Sequence, residues 1–136
     1  MPQIEWSKDL ETGNELVDNQ HKGLFNLLND LSTSIYEKKS KKVLKESIEK
    51  LTLYVVEHFS AEESFMLKEK YPAFAEHKKI HEDLFIETAT IIEAYRNTDD
   101  HRMAIPIVVF LTKWITNHIQ KEDKKFFDWV REGALK

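Results

Sequence analysis

The sequence predicts an all-α protein: an antiparallel up-down four-helix bundle with an N-terminal arm and a short C-terminal helix. The 136 residues include only three Gly and three Pro, which favours long helices over many short strands. Four segments place apolar side chains three or four positions apart, the spacing of a helix that buries one face. Short connections separate these segments, and helices joined in this way pack as antiparallel neighbours.

The composition is that of an ordinary globular protein. Its residues are 41% hydrophobic and 32% charged. The length suits a single domain over residues 1–136, with an arm at 1–13, a bundle at 14–121 and a C-terminal tail at 122–136. The sequence has no cysteine, which excludes disulfides, thiolate catalysis and iron–sulfur ligation.

Charge and hydropathy argue against two classes of partner. The net charge of −4 disfavours nucleic-acid binding. No signal segment opens the sequence, and the longest apolar run, residues 104–111, is too short to span a bilayer. We therefore expect a cytoplasmic protein with no membrane segment, present as a monomer or a weak oligomer.

Local signals define the arm and the first two helices. Residues 1–13 lack sustained periodicity and carry Trp6, which should pack the arm onto the body. Asn14 is suited to cap a first helix that runs to about Glu37. A second helix is expected from about Lys41 to Glu69. Their inward stripes are Val17, His21, Leu24, Leu28, Leu31 and Ile35 on the first, and Leu44, Ile48, Leu51, Val55, His58, Glu62 and Phe65 on the second.

Two further helices and a tail complete the chain. Pro72 stops the second helix, and a third is expected from about Pro72 to Arg96. A polar turn at 97–103 precedes a fourth helix that begins near 104–106. The amphipathic segment 126–130 could form a short docking helix. The inward positions are Phe74, His77, His81, Leu84, Thr88, Ile91 and Tyr95 on the third helix, and Val108, Leu111, Ile115 and His118 on the fourth.

Five of the six histidines lie on these inward stripes, at least one on each helix. One buried histidine alone is usually a hydrogen-bonded core residue. Five of them, together with a buried Glu62, need more partners than a core of Leu and Phe offers, and metal ions would satisfy all of them. Asp123, five positions after His118, could join them only at a helix end or a loosened turn; the alternative is a surface acid. Asp18 could either accept a hydrogen bond from a ligand imidazole or simply belong to the first helical turn.

Four motifs carry a resemblance to a known family. DNQHK at 18–22, HFSAEE at 58–63, YPAFAEHKKIH at 71–81 and NHIQKED at 117–123 together closely resemble the hemerythrin family. The likeness covers essentially the whole chain and leaves no gap at a ligand position. It implies seven metal ligands: His21, His58, Glu62, His77, His81, His118 and Asp123.

The resemblance also implies two non-haem iron ions that share Glu62, Asp123 and an oxo or hydroxo bridge. Imidazoles with carboxylates suit such first-row metal ions. One iron would lack a sixth donor, which leaves a position for dioxygen or a small anion such as azide. One iron would be completed by His77, His81 and His118, and the open iron would be held by His21 and His58.

The leading functional hypothesis is reversible dioxygen binding for storage, delivery or sensing. The alternatives are an oxygen-sensing or redox-sensing domain of a bacterial chemoreceptor or regulator, and a diiron enzyme acting on oxygen, peroxide or nitric oxide. Ferritin-like diiron enzymes carry Glu-x-x-His motifs, and here no Glu stands three positions before a His. We therefore expect an oxygen-binding protein, not an enzyme, with side oxidase or peroxidase activity left open. The oxygen pocket that the resemblance implies consists of Leu24, Phe59, Trp114 and Ile115, with Ile119 as a further candidate.

Overall fold

A computed structural model describes residues 5–98 and 100–134. Every regular element in these residues is a helix, so the predicted all-α class is confirmed. Within the same residues, no helix combines the length and the apolar character needed to cross a membrane. Lys8–Leu10 and His101–Ala104 are short 3₁₀ turns, and Ile119–Asp123 is a π-helical turn. The α-helices are α1 (Glu15–Tyr36), α2 (Lys41–Lys68), α3 (Phe74–Arg96), α4 (Ile105–His118) and α5 (Lys124–Ala134).

The first four helices form a square. α1 packs against α2 and α4, and α3 packs against the same two helices. Because short connections join successive helices, each runs opposite to the one before it, which is the predicted up-down bundle. The core follows the predicted stripes, and Leu28, Leu31 and Leu44 within it are completely buried.

α5 covers one end of this bundle. Phe126 of α5 is completely buried against Met66, in the last turn of α2, and Tyr71, in the loop that follows α2. The helical path runs without a break from 105 to 134, across the expected boundary between bundle and tail at 121–122. The short C-terminal helix therefore holds the end of α4 against the bundle.

The turn between α2 and α3 is closed by backbone hydrogen bonds. Lys70 adopts the left-handed region at φ 57°, and Tyr71 N–H donates to Met66 O at 2.9 Å, the pattern that ends many helices. α3 begins at Phe74, two residues later than expected from Pro72. Residues 72–73 form a turn, because Phe74 N–H donates to Tyr71 O at 3.2 Å, and an α-helical hydrogen bond follows from His77 N–H to Ala73 O at 3.0 Å.

Asp18 ties the N-terminal arm to α1. Its Oδ1 accepts hydrogen bonds from both the backbone N–H and the hydroxyl of Thr12, each at 2.8 Å. Asp18 is therefore a first-turn residue that anchors the arm, not a partner of a ligand imidazole. Trp6 packs the arm onto the bundle as predicted, with its ring 5.5 Å from that of Phe25.

Candidate metal centre

The seven predicted ligands meet in the core, near the end of the bundle that α5 covers. Each of the first four helices contributes at least one, and none is more than 4% exposed. Their potential ligating atoms fall into two groups, within each of which the atoms lie within 4.8 Å of one another. The three-histidine group is Glu62, His77, His81, His118 and Asp123, and the two-histidine group is His21, His58, Glu62 and Asp123.

Helical spacing accounts for the two central pairs. His58 and Glu62 lie four positions apart on α2, and His77 and His81 lie four apart on α3, so each pair occupies adjacent turns of one helix face. The tight turn after α2 brings the two faces together. The result is a distance of 2.7 Å between His77 Nε2 and Glu62 Oε1.

Asp123 reaches the centre through the π-helical turn Ile119–Asp123. Five positions of a regular α-helix turn by about 500°, which would leave the two side chains about 140° apart around the axis. A π turn adds one residue to a single turn, so the residue five positions on comes to lie over the first. Asp123 Oδ1 is accordingly 3.0 Å from His118 Nε2. The loosened turn that this spacing required is present, and Asp123 is a core residue and not a surface acid.

Glu62 presents one oxygen to each group. Its Oε1 lies 2.7 Å from His77 Nε2 and 3.4 Å from His81 Nε2. Its Oε2 lies 3.5 Å from His58 Nε2 and has no hydrogen-bond partner. A buried carboxylate oxygen without a hydrogen bond is energetically costly, and a bound cation would remove that cost.

Asp123 divides its oxygens in the same way. Oδ1 lies 3.0 Å from His118 Nε2 and 3.3 Å from His77 Nε2, whereas Oδ2 lies 3.1 Å from His21 Nε2. Neither oxygen makes a well-aligned hydrogen bond despite these short distances. Histidine nitrogens and carboxylate oxygens that lie this close without forming aligned hydrogen bonds are oriented towards a common point between them, where a metal ion would bind.

The imidazole nitrogens are spaced as metal donors. His21 Nε2 and His58 Nε2 lie 3.0 Å apart, and so do His81 Nε2 and His118 Nε2. Two nitrogens held at right angles by one ion at about 2.1 Å, the distance of a zinc–imidazole bond, would be about 3.0 Å apart. The side chains present therefore fit first-row metal ions.

The electrostatics of the protein alone favour bound cations. Burial raises the pKa of Glu62, but the close approach of the surrounding histidine nitrogens outweighs burial and holds that pKa well below its ordinary value. Burial and the charge of Glu62 raise the pKa of Asp123. The charge and close approach of His118, together with the close approach of His21, outweigh them and hold that pKa below its ordinary value. Burial alone would lower the pKa of His118, but Asp123 and Glu62 raise it to about 10. The two carboxylates are thus ionised, and at least the His118 imidazole holds a proton that a metal ion would replace; against the effect of burial, Asp123 and Glu62 also raise the pKa of His77.

The sequence reasoning missed two residues that approach the outer nitrogens of the predicted ligands. Gln20 Oε1 lies 2.7 Å from His58 Nδ1, a distance at which the ring N–H donates to the amide oxygen. Glu63 Oε2 lies 3.6 Å from His81 Nδ1, within ion-pair range but too long for a hydrogen bond. Each of the two is the immediate sequence neighbour of a ligand, and that position is the signal that could have found them.

Aromatic rings cover the imidazoles of the three-histidine group. Phe59 stacks on His81 with ring centroids 3.8 Å apart, and Trp114 stacks on His118 at 4.5 Å. Side chains of this kind keep water away from the nitrogens behind them. The five predicted pocket residues are all buried or half-buried: Leu24, Phe59, Trp114, Ile115 and Ile119.

A helical bundle whose core gathers five imidazoles around two shared carboxylates defines a metal-binding four-helix bundle protein. The family model described as "Hemerythrin HHE cation binding domain" matches residues 12–130, and the chain belongs to the hemerythrin family.

Curated relatives agree with this membership. A bacteriohemerythrin of Pseudomonas aeruginosa (strain LESB58) is 34% identical over 137 residues, which cover 98% of this chain and 85% of the relative. A myohemerythrin of Theromyzon tessulatum is 34% identical over 122 residues, covering 90% and 89%. A bacteriohemerythrin of Campylobacter jejuni (strain 81116) is 32% identical over 132 residues, covering 95% and 96%.

Proposed function

We propose that this protein binds dioxygen reversibly at a non-haem diiron centre, for storage, delivery or sensing. The pair of shared carboxylates carries the proposal, because Glu62 and Asp123 each turn one oxygen to either histidine group. A carboxylate whose two oxygens face different donor groups is suited to two ions held side by side. Membership of the hemerythrin family supports the same class of function.

The number of donors distinguishes the two ions. The three-histidine group offers five protein donors and the two-histidine group offers four. Two irons with the same coordination number would therefore differ by one protein ligand, and the iron of the two-histidine group would keep a position for dioxygen or azide. Imidazole and carboxylate donors suit iron. Iron bound there would supply the electrons that reversible dioxygen binding requires.

The side chains around the ligands favour binding over turnover. Phe59 lies between the two groups, with its ring centroid 5.7 Å from that of His58 and 3.8 Å from that of His81. We assign Leu24, Trp114, Ile115 and Ile119 to the same apolar wall. A wall of this kind excludes water from a reactive bound species. The donor set contains two carboxylates and five imidazoles, and so few anionic donors give little stabilisation to highly oxidised iron.

The match over residues 12–130 supports a single functional domain for residues 1–136.

Metal content and a reversible spectrum test the proposal. The purified protein should hold about two irons per chain by elemental analysis, as expected for two donor groups that share both carboxylates. The reduced protein, prepared without oxygen, should gain a visible absorption band in air and lose it again under argon. A band that persists after oxygen removal in every cycle would refute reversible binding, and one iron or none per chain would refute the diiron assignment.

The variant Glu62→Gln tests the shared carboxylate. It removes the charge that four imidazoles face, so iron retention against a chelator should fall at least about tenfold. Glu46→Gln is the matched control, because Glu46 lies exposed on the same helix. Equal iron content and equal spectra in the two variants would contradict the bridging role of Glu62.

A further inference from the structure

Gln20 of α1 lies against the outer face of His58 of α2, with 2.7 Å between Gln20 Oε1 and His58 Nδ1. We propose that Gln20 is a positioning residue: it fixes the tautomer of His58 and gives the outer nitrogen of that ring a neutral partner instead of a charged one. The inference deepens the proposed function and rests on it for its consequence at iron. Its structural part, the tautomer of His58, is independent of that function.

The tautomer follows from the direction of the hydrogen bond. An amide oxygen only accepts, so His58 Nδ1 must carry the hydrogen, and His58 Nε2 then presents a lone pair. That nitrogen faces the centre, 3.0 Å from His21 Nε2. With no acceptor at Nδ1 the proton could reside on Nε2, where it would block the position that the metal ion needs.

The backbone around Gln20 is held in place by a close helix contact. The Tyr54 hydroxyl donates to the backbone oxygen of Gln20 at 2.8 Å. Gly23, one turn further along α1, makes this approach possible, because a Cβ at that position would collide with the Tyr54 hydroxyl. This contact fixes the relative position of α1 and α2 along their axes, so that the Gln20 amide lies opposite the His58 ring.

The surface beside Gln20 and His58 is open to water, so the Gln20 amide is not needed there merely to fill space. Gln20, Tyr54, Glu57 and His58 line a cleft of about 120 Å³. Water in this cleft could replace a lost amide only as a mobile partner that accepts or donates equally well. A fixed acceptor is therefore needed to keep the proton on one nitrogen of His58.

The two histidine groups differ in the charge of these outer partners. His81, in the three-histidine group, has the carboxylate of Glu63 at 3.6 Å from its Nδ1, whereas His58 has a neutral amide. A carboxylate beside a ligand imidazole makes it more basic and a stronger donor to oxidised iron. The neutral amide of Gln20 therefore favours the reduced state at the iron assigned the open position, which is the state that takes up dioxygen.

Two substitutions separate shape, hydrogen bonding and charge. Gln20→Leu keeps the volume and removes the acceptor, while Gln20→Glu keeps the acceptor and adds a charge. Glu57→Gln is the control, because Glu57 lines the same cleft and is exposed. Circular dichroism of each full-length variant, with and without metal, establishes that it is folded before the comparison.

The first readout is the tautomer of His58 in the full chain after metal removal, by nitrogen–proton correlation NMR of the imidazoles. The wild type, Gln20→Glu and Glu57→Gln should carry the proton on Nδ1, whereas Gln20→Leu should show Nε2–H or a mixture. Iron retention against a chelator should fall about 10-fold to 100-fold in Gln20→Leu and return in Gln20→Glu. An unchanged tautomer with unchanged retention in Gln20→Leu would overturn the positioning role.

The second readout is the reduction potential of the iron-loaded protein. Gln20→Glu should lower it relative to wild type and to Glu57→Gln, and equal potentials would overturn the inference about charge. This comparison does not need Gln20→Leu to fold. If the wild type fails to bind iron or oxygen reversibly while the tautomer result holds, the proposed function fails and the structural role of Gln20 stands.

Discussion

Replacing Asp123 with Asn tests the electrostatic account of the centre in the metal-free protein. Asp123 is completely buried and lies 3.0 Å from His118 Nε2 and 3.1 Å from His21 Nε2. Its charge is the leading reason that the pKa of His118 rises to about 10 against the effect of burial. Without metal, the proton on His118 therefore takes the place of a cation.

The size of the effect follows from that pKa. A rise from the ordinary 6.5 to about 10, at about 1.4 kcal/mol per unit, gives a ceiling on the order of 4–5 kcal/mol. Part of this is lost to other terms, because Asn also removes the repulsion between Asp123 and Glu62. Glu62 Oε1 also remains 3.8 Å from His118 Nε2. We therefore expect Asp123→Asn to destabilise the metal-free protein by about 3 kcal/mol at pH 6, within the range for breaking a buried ion pair.

The sign of the pH dependence is set by a folded-state pKa that lies above the unfolded one. The contribution of His118 is fully present below about pH 6.5 and is lost as the pH rises through about 10. The wild type should lose stability over this interval, and Asp123→Asn should start lower and change less. The lowered pKa values of Glu62 and Asp123 act at the other end, where their contribution is lost as the pH falls below the ordinary carboxyl range.

Urea unfolding of chelator-treated protein at pH 6 and pH 10 measures the effect, and NMR titration of His118 assigns it. Asp30→Asn is the control, because Asp30 is exposed on α1 and the same charge is removed. If Asp123→Asn and Asp30→Asn show the same pH dependence, or if His118 titrates near its ordinary value in the wild type, the electrostatic account is wrong.

Three further outcomes are expected. Ile115→Tyr should slow azide association with the oxidised protein about tenfold, or about 1.4 kcal/mol on the barrier, because the larger side chain would fill the space next to the open position. Val109→Tyr, exposed on the same helix, should leave the rate unchanged, and equal rates in the two variants would remove Ile115 from the pocket. Binding of zinc at pH 8 should release about one proton or more per chain in weakly buffered indicator solution, because the proton on His118 must leave. If no proton were released, the raised pKa of His118 would be contradicted. Lys70→Gly should raise the free energy of unfolding by about 1 kcal/mol, because Lys70 holds the left-handed φ of 57° that glycine adopts without strain. Lys50→Gly, within α2, should instead lower it by about 1 kcal/mol. A lower free energy of unfolding in both variants would show that Lys70 is unstrained.

The inward placement of the two central pairs of candidate ligands could be predicted from the sequence because helical spacing sets it. His58 with Glu62, and His77 with His81, share a face whatever the detailed packing of the bundle, since residues four apart lie on adjacent turns. Asp123 could be predicted only with a condition, a loosened turn, and the π turn at Ile119–Asp123 meets it. The start of α3 was less accurate, because the geometry of a turn that contains proline depends on the hydrogen bonds that close it.

Gln20 and Glu63 could not be predicted for a different physical reason. A residue next to an inward ligand points about 100° away from it, towards the seam with a neighbouring helix. Which helix lies across that seam depends on the hand of the bundle, and the apolar stripes are the same for either hand. In the structure Gln20 faces α2 and Glu63 faces α3, so each meets the outer nitrogen of a ligand on the next helix along the chain. With the opposite hand, Gln20 would face α4, and the amide could not orient His58. The hand of the bundle, which the sequence pattern leaves open, therefore decides which of the two histidine groups has a neutral partner and which has a charged one.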